Sequence, residues 1–167
     1  MTTRSARELK ALLLASPRLT VAVAESLTAG HVQAGLGAIP GASEFFLGGI
    51  TAYTLDQKVR HLGVDRREAA KVNSVSGEIA RQMARGAAKL FGSDLALATT
   101  GYAERAPEQG VMAPQAYWAL VHCRRGRVVA ECGGLVVCAG LRRIEVQTAV
   151  TDVVLAELLA YVRTWRG

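Results

Sequence analysis

The chain has 167 residues, half of them hydrophobic and a fifth charged. That is enough apolar material for one core and too much for a disordered chain. The formal net charge is +6, but the basic residues are scattered, the densest groups being Arg124, Arg125, Arg127 and the pair Arg142, Arg143, and only Trp118 and Trp165 are large stacking residues, so nucleic acid is not the expected partner.

A polar start (Met1 to Lys10) is unlike a signal peptide. No run of about eighteen apolar residues offers a membrane span. Cys123, Cys132 and Cys138 are odd in number and form no Cys-x-x-Cys, which suits free thiols in a reducing compartment. These features predict a cytoplasmic protein.

Leu9, Leu12 and Leu13 recur at helical spacing within residues 4–15 and predict an amphipathic helix. Residues 19–25 (LTVAVAE) read as a buried strand, and 27–39 as an Ala-rich helix ended by Pro40-Gly41. A β-like run follows Gly48-Gly49, then a short helix over 55–62 that carries Lys58. Ser76 is a natural N-cap for a long helix over 77–91. Residues 94–100 (DLALATT) read as a strand leading into a polar loop, 101–110. Strands near 115–123 and 127–138 flank a turn at Arg124 to Arg127, and a last helix runs from about 142 to 165. No repeat or linker divides the chain, so 1–167 reads as one domain. Alternating strands and helices predict an α/β fold, a three-layer α/β/α sandwich on a mixed, mostly parallel sheet. Sites in such sheets form beyond the strand ends. The loops after Glu25, Tyr53 and Thr100 are therefore the informative ones.

Ser26 stands between a strand and a helix. It is either an N-cap or a nucleophile whose oxyanion would meet nearby backbone N–H groups, of Thr28 or Ala29. Lys58 is one of four lysines, with Lys10, Lys71 and Lys89. It is either a surface residue or a general base, the latter only where burial or a neighbouring cation lowers its pKa. Tyr53 could orient it or relay a proton. His31, His61 and His122 share no metal spacing, and no dinucleotide or P-loop fingerprint occurs. Gly140 and Arg142 mark either a plain helix start or a phosphate cradle.

Several blocks occur together. Ala24-Glu25-Ser26-Leu27-Thr28-Ala29-Gly30 resembles the A-E-S-x-T-[GA]-G signature of the CinA C-terminal family. Pro40-Gly41-Ala42-Ser43-Glu44-Phe45-Phe46 is similar to its P-G-[SA]-S-x-x-F segment. Gly48-Gly49, Tyr53 to Lys58 and Leu62-Gly63-Val64 resemble its G-G…Y-[ST]-x-x-x-K…[LI]-G-V block, and Val75-Ser76 and Thr100-Gly101 also fit. The resemblance spans about 5–165 and implies a CinA C-terminal-like fold in a stand-alone domain of the amidase type. It implies hydrolysis of nicotinamide mononucleotide to nicotinic acid mononucleotide and ammonia without metal or organic cofactor, and a homo-oligomer. It implies Ser26 as nucleophile, Lys58 as base and Tyr53 in the proton path, with Ser43 able to exchange roles with Ser26. Thr28, Gly30, Thr100, Gly101 and Arg142 would meet the substrate, a pyridine nucleotide.

The chain departs from the family after Thr100. The pattern T-G-[IV]-A-G-P-x-G-G becomes Thr100 to Gly110 with Tyr102, Glu104 and Arg105 in place of flexible residues. Pro114-Gln115-Ala116 stands where the family has G-T-V, and Leu141 where it has Asp or Asn. The altered loop should narrow or recharge the pocket. A different small amide as substrate, or a non-catalytic nucleotide-binding module, therefore stand as alternatives.

Overall fold

In the computed structural model, which describes residues 1–167, the apolar runs pair into one sheet and the amphipathic segments cover both its faces. The strands are β1 (Val21–Glu25), β2 (Phe46–Thr51), β3 (Leu95–Tyr102), β4 (Gln115–Arg124) and β5 (Arg127–Val137). The helices are α1 (Thr3–Leu14), α2 (His31–Gly37), α3 (Leu55–Leu62), α4 (Arg66–Lys71), α5 (Gly77–Phe91) and α6 (Arg143–Arg166). The strand order is β2-β1-β3-β4-β5. β1 is parallel to β2 and β3, and β4 is antiparallel to β3 and β5. Strands β1, β2, β3 and β5 thus share one direction and β4 alone opposes them, which makes the sheet mixed.

The two faces differ in side-chain size, and the layers differ accordingly. Val21, Val23, Leu95, Leu97 and Leu120 join α1, α2 and α6 in a core of 24 buried residues. Ala24, Ala96, Ala98 and Ala119 face α5, whose own inward residues include Ala80, Ala84, Ala87 and Ala88. Small residues on both sides let α5 lie close to the sheet. On another side of α5, at Gly86, a Cβ would overlap the carbonyl of Leu62 at the end of α3, so enlarging that α3–α5 contact would cost about 1–3 kcal/mol by overpacking. α6 buries Val146, Val150, Val154, Leu158 and Val162, a four-residue repeat that keeps one stripe on the sheet.

Local signals set several boundaries. The Ser76 hydroxyl accepts from the Ile79 N–H at the start of α5, and left-handed Gly92 ends that helix. Arg125 and Gly126 both have positive φ, the two-residue turn that matches the twist of a β4–β5 hairpin. The helix expected over 27–39 is shorter. α2 starts at His31 because residues 27–30 form a turn with Ala29 and Gly30 at positive φ. α4 lacks a clear apolar stripe in the sequence and was not anticipated.

The connectivity places the site. The chain leaves β1 for β2 on one side and reaches β3 on the other. The carboxyl ends of β1 and β3 therefore border a crevice at a topological switch point. No helix is long and apolar enough to cross a membrane.

Candidate active site

A cleft of about 250 Å³ opens at that crevice. Its walls are Ser26 and Leu27 after β1, Tyr53 to Leu55 and Lys58 at the start of α3, Asn73 to Val75, and Gly101 to Ala103 at the end of β3. Three of the loops singled out from the sequence thus meet at one place.

Lys58 is 2 % exposed and has no carboxylate partner. Its Nζ donates to Thr100 Oγ1 at 2.9 Å and to the Ser74 carbonyl at 3.2 Å. Thr100 Oγ1 in turn donates to the same carbonyl at 2.7 Å. Neutral oxygens solvate the ammonium less well than water or a carboxylate, so burial lowers the pKa from 10.5 to about 8. A useful fraction of neutral amine is then present near neutral pH. The carbonyl faces Lys58 because Asn73 and Ser74 both adopt positive φ, 48° and 60°. Two successive non-glycine residues in that region are strained, and such strain concentrates at functional sites. The sequence reading missed this turn; Asn, which tolerates the left-handed region, was its only local signal.

Ser26 is 6 % exposed, and its hydroxyl makes no hydrogen bond within the chain, to Lys58 or to any other group. It is not the cap of α2. That role falls to Glu25, fully buried, whose carboxylate accepts from the N–H groups of Gly30 (2.9 Å), Val32 (3.2 Å) and Gln33 (2.8 Å). The helix start is thus satisfied by the residue before Ser26, and the serine is left facing the cleft. The Ser26 N–H extends the sheet by bonding to the Thr99 carbonyl. Ala29 N–H, one of the two suggested oxyanion donors, is spent on the Ser26 carbonyl, whereas the N–H groups of Leu27 and Thr28 donate to no protein acceptor. Those two are the free donors beside the serine.

The mouth of the cleft is bordered by Tyr53, by Arg143 at the start of α6 and by Tyr102 and Glu104 of the loop after Thr100. Tyr53 is 54 % exposed, and its hydroxyl accepts from Arg143 Nη1 at 3.4 Å rather than touching Lys58. Arg143 also forks onto Glu104, Nε to Oε1 at 3.2 Å and Nη2 to Oε2 at 2.8 Å. That ion pair holds the Glu104 carboxyl below its ordinary pKa. Tyr102 lines the cleft and its hydroxyl accepts from Asn73 Nδ2 at 3.0 Å.

The remaining expected residues are placed as follows. Arg142 caps α6, but its side chain is 86 % exposed and folds back onto Glu145, outside the cleft; its neighbour Arg143 is the arginine at the mouth. Ser43 lies in an exposed 3-10 turn before β2. It is at the opposite end of β1 from Ser26, roughly 15 Å away by strand rise, so the structure does not bring the two serines together. Thr28 is buried against Thr99, hydroxyl to hydroxyl at 2.7 Å, and clamps the turn to β3. Gly30 starts α2 and does not line the cleft. Gly101 does line it, but a Cβ there would overlap the Gln115 carbonyl, so sheet packing alone requires glycine. No group of three metal-ligating side chains occurs. The three cysteines are unpaired, and burial raises each thiol's pKa, which disfavours the thiolate.

A buried amine without a counter-ion, an unengaged serine hydroxyl and the free backbone N–H of Leu27 beside one cleft are the parts of a nucleophile–base site. A CinA-like protein of Geobacter metallireducens is 48% identical over 92 residues, 55% of this chain and 22% of that protein. A CinA-like protein of Dictyoglomus thermophilum is 42% identical over 98 residues, 59% of this chain and 23% of its own length. The matched segment is thus less than a quarter of these relatives. The competence damage-inducible protein A of Klebsiella pneumoniae superposes with a TM-score of 0.87 at 26% identity, covering 98% of both chains. The competence/damage-inducible protein of Agrobacterium tumefaciens does so at 0.76 and 27%, over 93% of this chain and 94% of that one. Residues 3–162 match the model of the CinA C-terminal domain, and the chain belongs to that family.

Proposed function

We propose that the chain is an amidohydrolase that deamidates nicotinamide mononucleotide to nicotinic acid mononucleotide and ammonia. The observation that carries this reading is Lys58: a buried amine, without an acidic partner, lining the same cleft as Ser26. A lysine is excluded from water in this way at a cost to the fold, which makes a chemical role the better account of it.

Ser26 attacks the carboxamide carbon while neutral Lys58 takes the hydroxyl proton. The N–H of Leu27, which lines the cleft and donates to no protein acceptor, receives the developing oxyanion. The protonated lysine then delivers its proton to the departing nitrogen, which leaves as ammonia. Water, deprotonated by the same lysine, cleaves the acyl-serine ester and restores the site. Water and amide are consumed, acid and ammonia are formed, and no metal or redox partner enters the balance.

The cleft lies just below the usual range of small-molecule pockets, roughly 300–1,000 Å³. It has room for the amide-bearing ring, with sugar and phosphate at the mouth. The test is ammonia release from nicotinamide mononucleotide by the purified chain, with Ser26→Ala and Lys58→Met as controls. Turnover within about tenfold of the parent in either variant would sink the mechanism. The rebuilt mouth, with Tyr102 and Glu104, favours one second reading, the same chemistry on another small amide; a panel of carboxamides separates the two.

A further inference from the structure

We propose that Glu104 is a built-in competitor for the anionic end of a substrate, and that it biases this cleft toward amides whose far end carries no phosphate. The inference rests on the amidase reading for the substrate's amide end.

Arg143 is the cation at the mouth. Through Tyr53 it is joined to the cleft wall, and through Glu104 to the loop that follows Tyr102. The guanidinium fork is matched by two carboxylate oxygens, at 2.8 and 3.2 Å. A phosphomonoester would use the same two N–H groups in the same geometry, because carboxylate and phosphate are alternative bidentate partners of arginine. An incoming phosphate must therefore displace Glu104 and then lie beside the released carboxylate, an anion next to an anion. A nucleoside-level amide meets neither obstacle. Arg142 does not compensate, since it is committed to Glu145 on the outside of α6. Arg105, the next residue of the loop, forms no ion pair with Glu104 that would draw it off Arg143.

Both members of the pair are partly exposed, Arg143 at 44% and Glu104 at 64%, so neither substitution threatens the core. The experiment is calorimetric titration of nicotinamide mononucleotide and of nicotinamide riboside into the full chain carrying Lys58→Met, so that turnover does not consume the ligand. The same titrations are made with Glu104→Gln added, and with Glu104→Gln and Arg143→Gln together. An exposed ion pair contributes up to about 1 kcal/mol, so freeing Arg143 should raise the nucleotide-to-riboside affinity ratio by up to about fivefold. The double substitution should abolish that rise. An unchanged ratio in Glu104→Gln overturns the proposal. A rise that persists without Arg143 also overturns it, because the gain would then come from removing a negative charge in general. Ammonia release by the unsubstituted chain is scored separately, so a failed amidase reading and a failed mouth reading give different results.

Discussion

Lys58→Met separates what the site needs from what the fold prefers. The lysine's pKa falls from 10.5 in water to about 8 in the fold through burial, so the charged form is disfavoured by about 3 kcal/mol. A depressed amine pKa means that the unfolded chain binds more protons between pH 8 and 10.5. Stability therefore rises with pH through that window; below 8 the penalty is complete, and above 10.5 it is gone. Methionine fills a similar volume with no charge to desolvate. It also loses two hydrogen bonds, each contributing about 1 kcal/mol, but Thr100 still donates to the Ser74 carbonyl. At pH 7 the variant should be more stable than the parent by about 1 kcal/mol. At pH 10 it should be less stable, the difference having moved by about 2–3 kcal/mol. Amide turnover should fall by about 10²–10⁴, the contribution of a general base, and in the parent it should rise as pH passes about 8. Urea unfolding at the two pH values and an ammonia assay from pH 6 to 10 check both halves. A stability difference that does not change with pH would refute the desolvation argument, and a rate flat through pH 8 would refute the base.

Three further outcomes follow from the geometry. Glu25→Gln removes a carboxylate that accepts three N–H bonds and turns an amide donor toward one of them; stability should drop by about 2–4 kcal/mol, read by urea midpoint. Arg143→Ala should raise KM for nicotinamide mononucleotide about five- to tenfold, with Glu104 having absorbed part of the arginine's attraction, while Arg142→Ala should leave KM within about twofold because its side chain points to solvent; equal effects would refute the assignment of the mouth. Self-association should use the outer edge of β5, an 11-residue strand presenting Val129, Leu135 and Val137, each about half exposed; light scattering should give a multiple of 17.7 kDa, and Leu135→Glu should return the mass to one chain.

Some of this architecture is legible in the sequence because it is local. α3 and α5 begin and end where Thr54, Ser76, Gly63 and Gly92 supply caps, and caps act within a few residues. The features that were not legible depend on contacts distant in sequence or on rotation. Glu25 reads as the last residue of a strand; only when the turn at 27–30 folds back does its carboxylate meet the start of α2. Ser43 is close to Ser26 in sequence, yet α2 carries the chain back across the sheet and leaves it at the other end. Arg142 and Arg143 are adjacent, yet the first, as the N-cap, folds onto Glu145 while the second, opening α6, reaches Tyr53 at the cleft rim. Gly101 resembles a ligand-contacting glycine, but the approach of β4 is sufficient to require it.

The residues expected to differ from the family pattern lie just past a physical boundary in the site. The groups that hold Lys58 are the Thr100 hydroxyl and a backbone carbonyl, that of Ser74. A carbonyl is indifferent to most side-chain changes, and Thr100 lies inside the sheet, flanked by its pairing with Tyr117. The altered residues begin at Tyr102, two positions on, where β3 ends and side chains turn toward the mouth. Substitutions there can change which molecule enters without disturbing the burial that tunes the lysine. A change at Thr100 would do the reverse, removing a hydrogen-bond partner from a buried ammonium and leaving it with one carbonyl. Loss of amide chemistry and change of substrate should therefore map to different residues: the first to Ser26, Lys58 and Thr100, the second to Tyr102, Glu104 and Arg143.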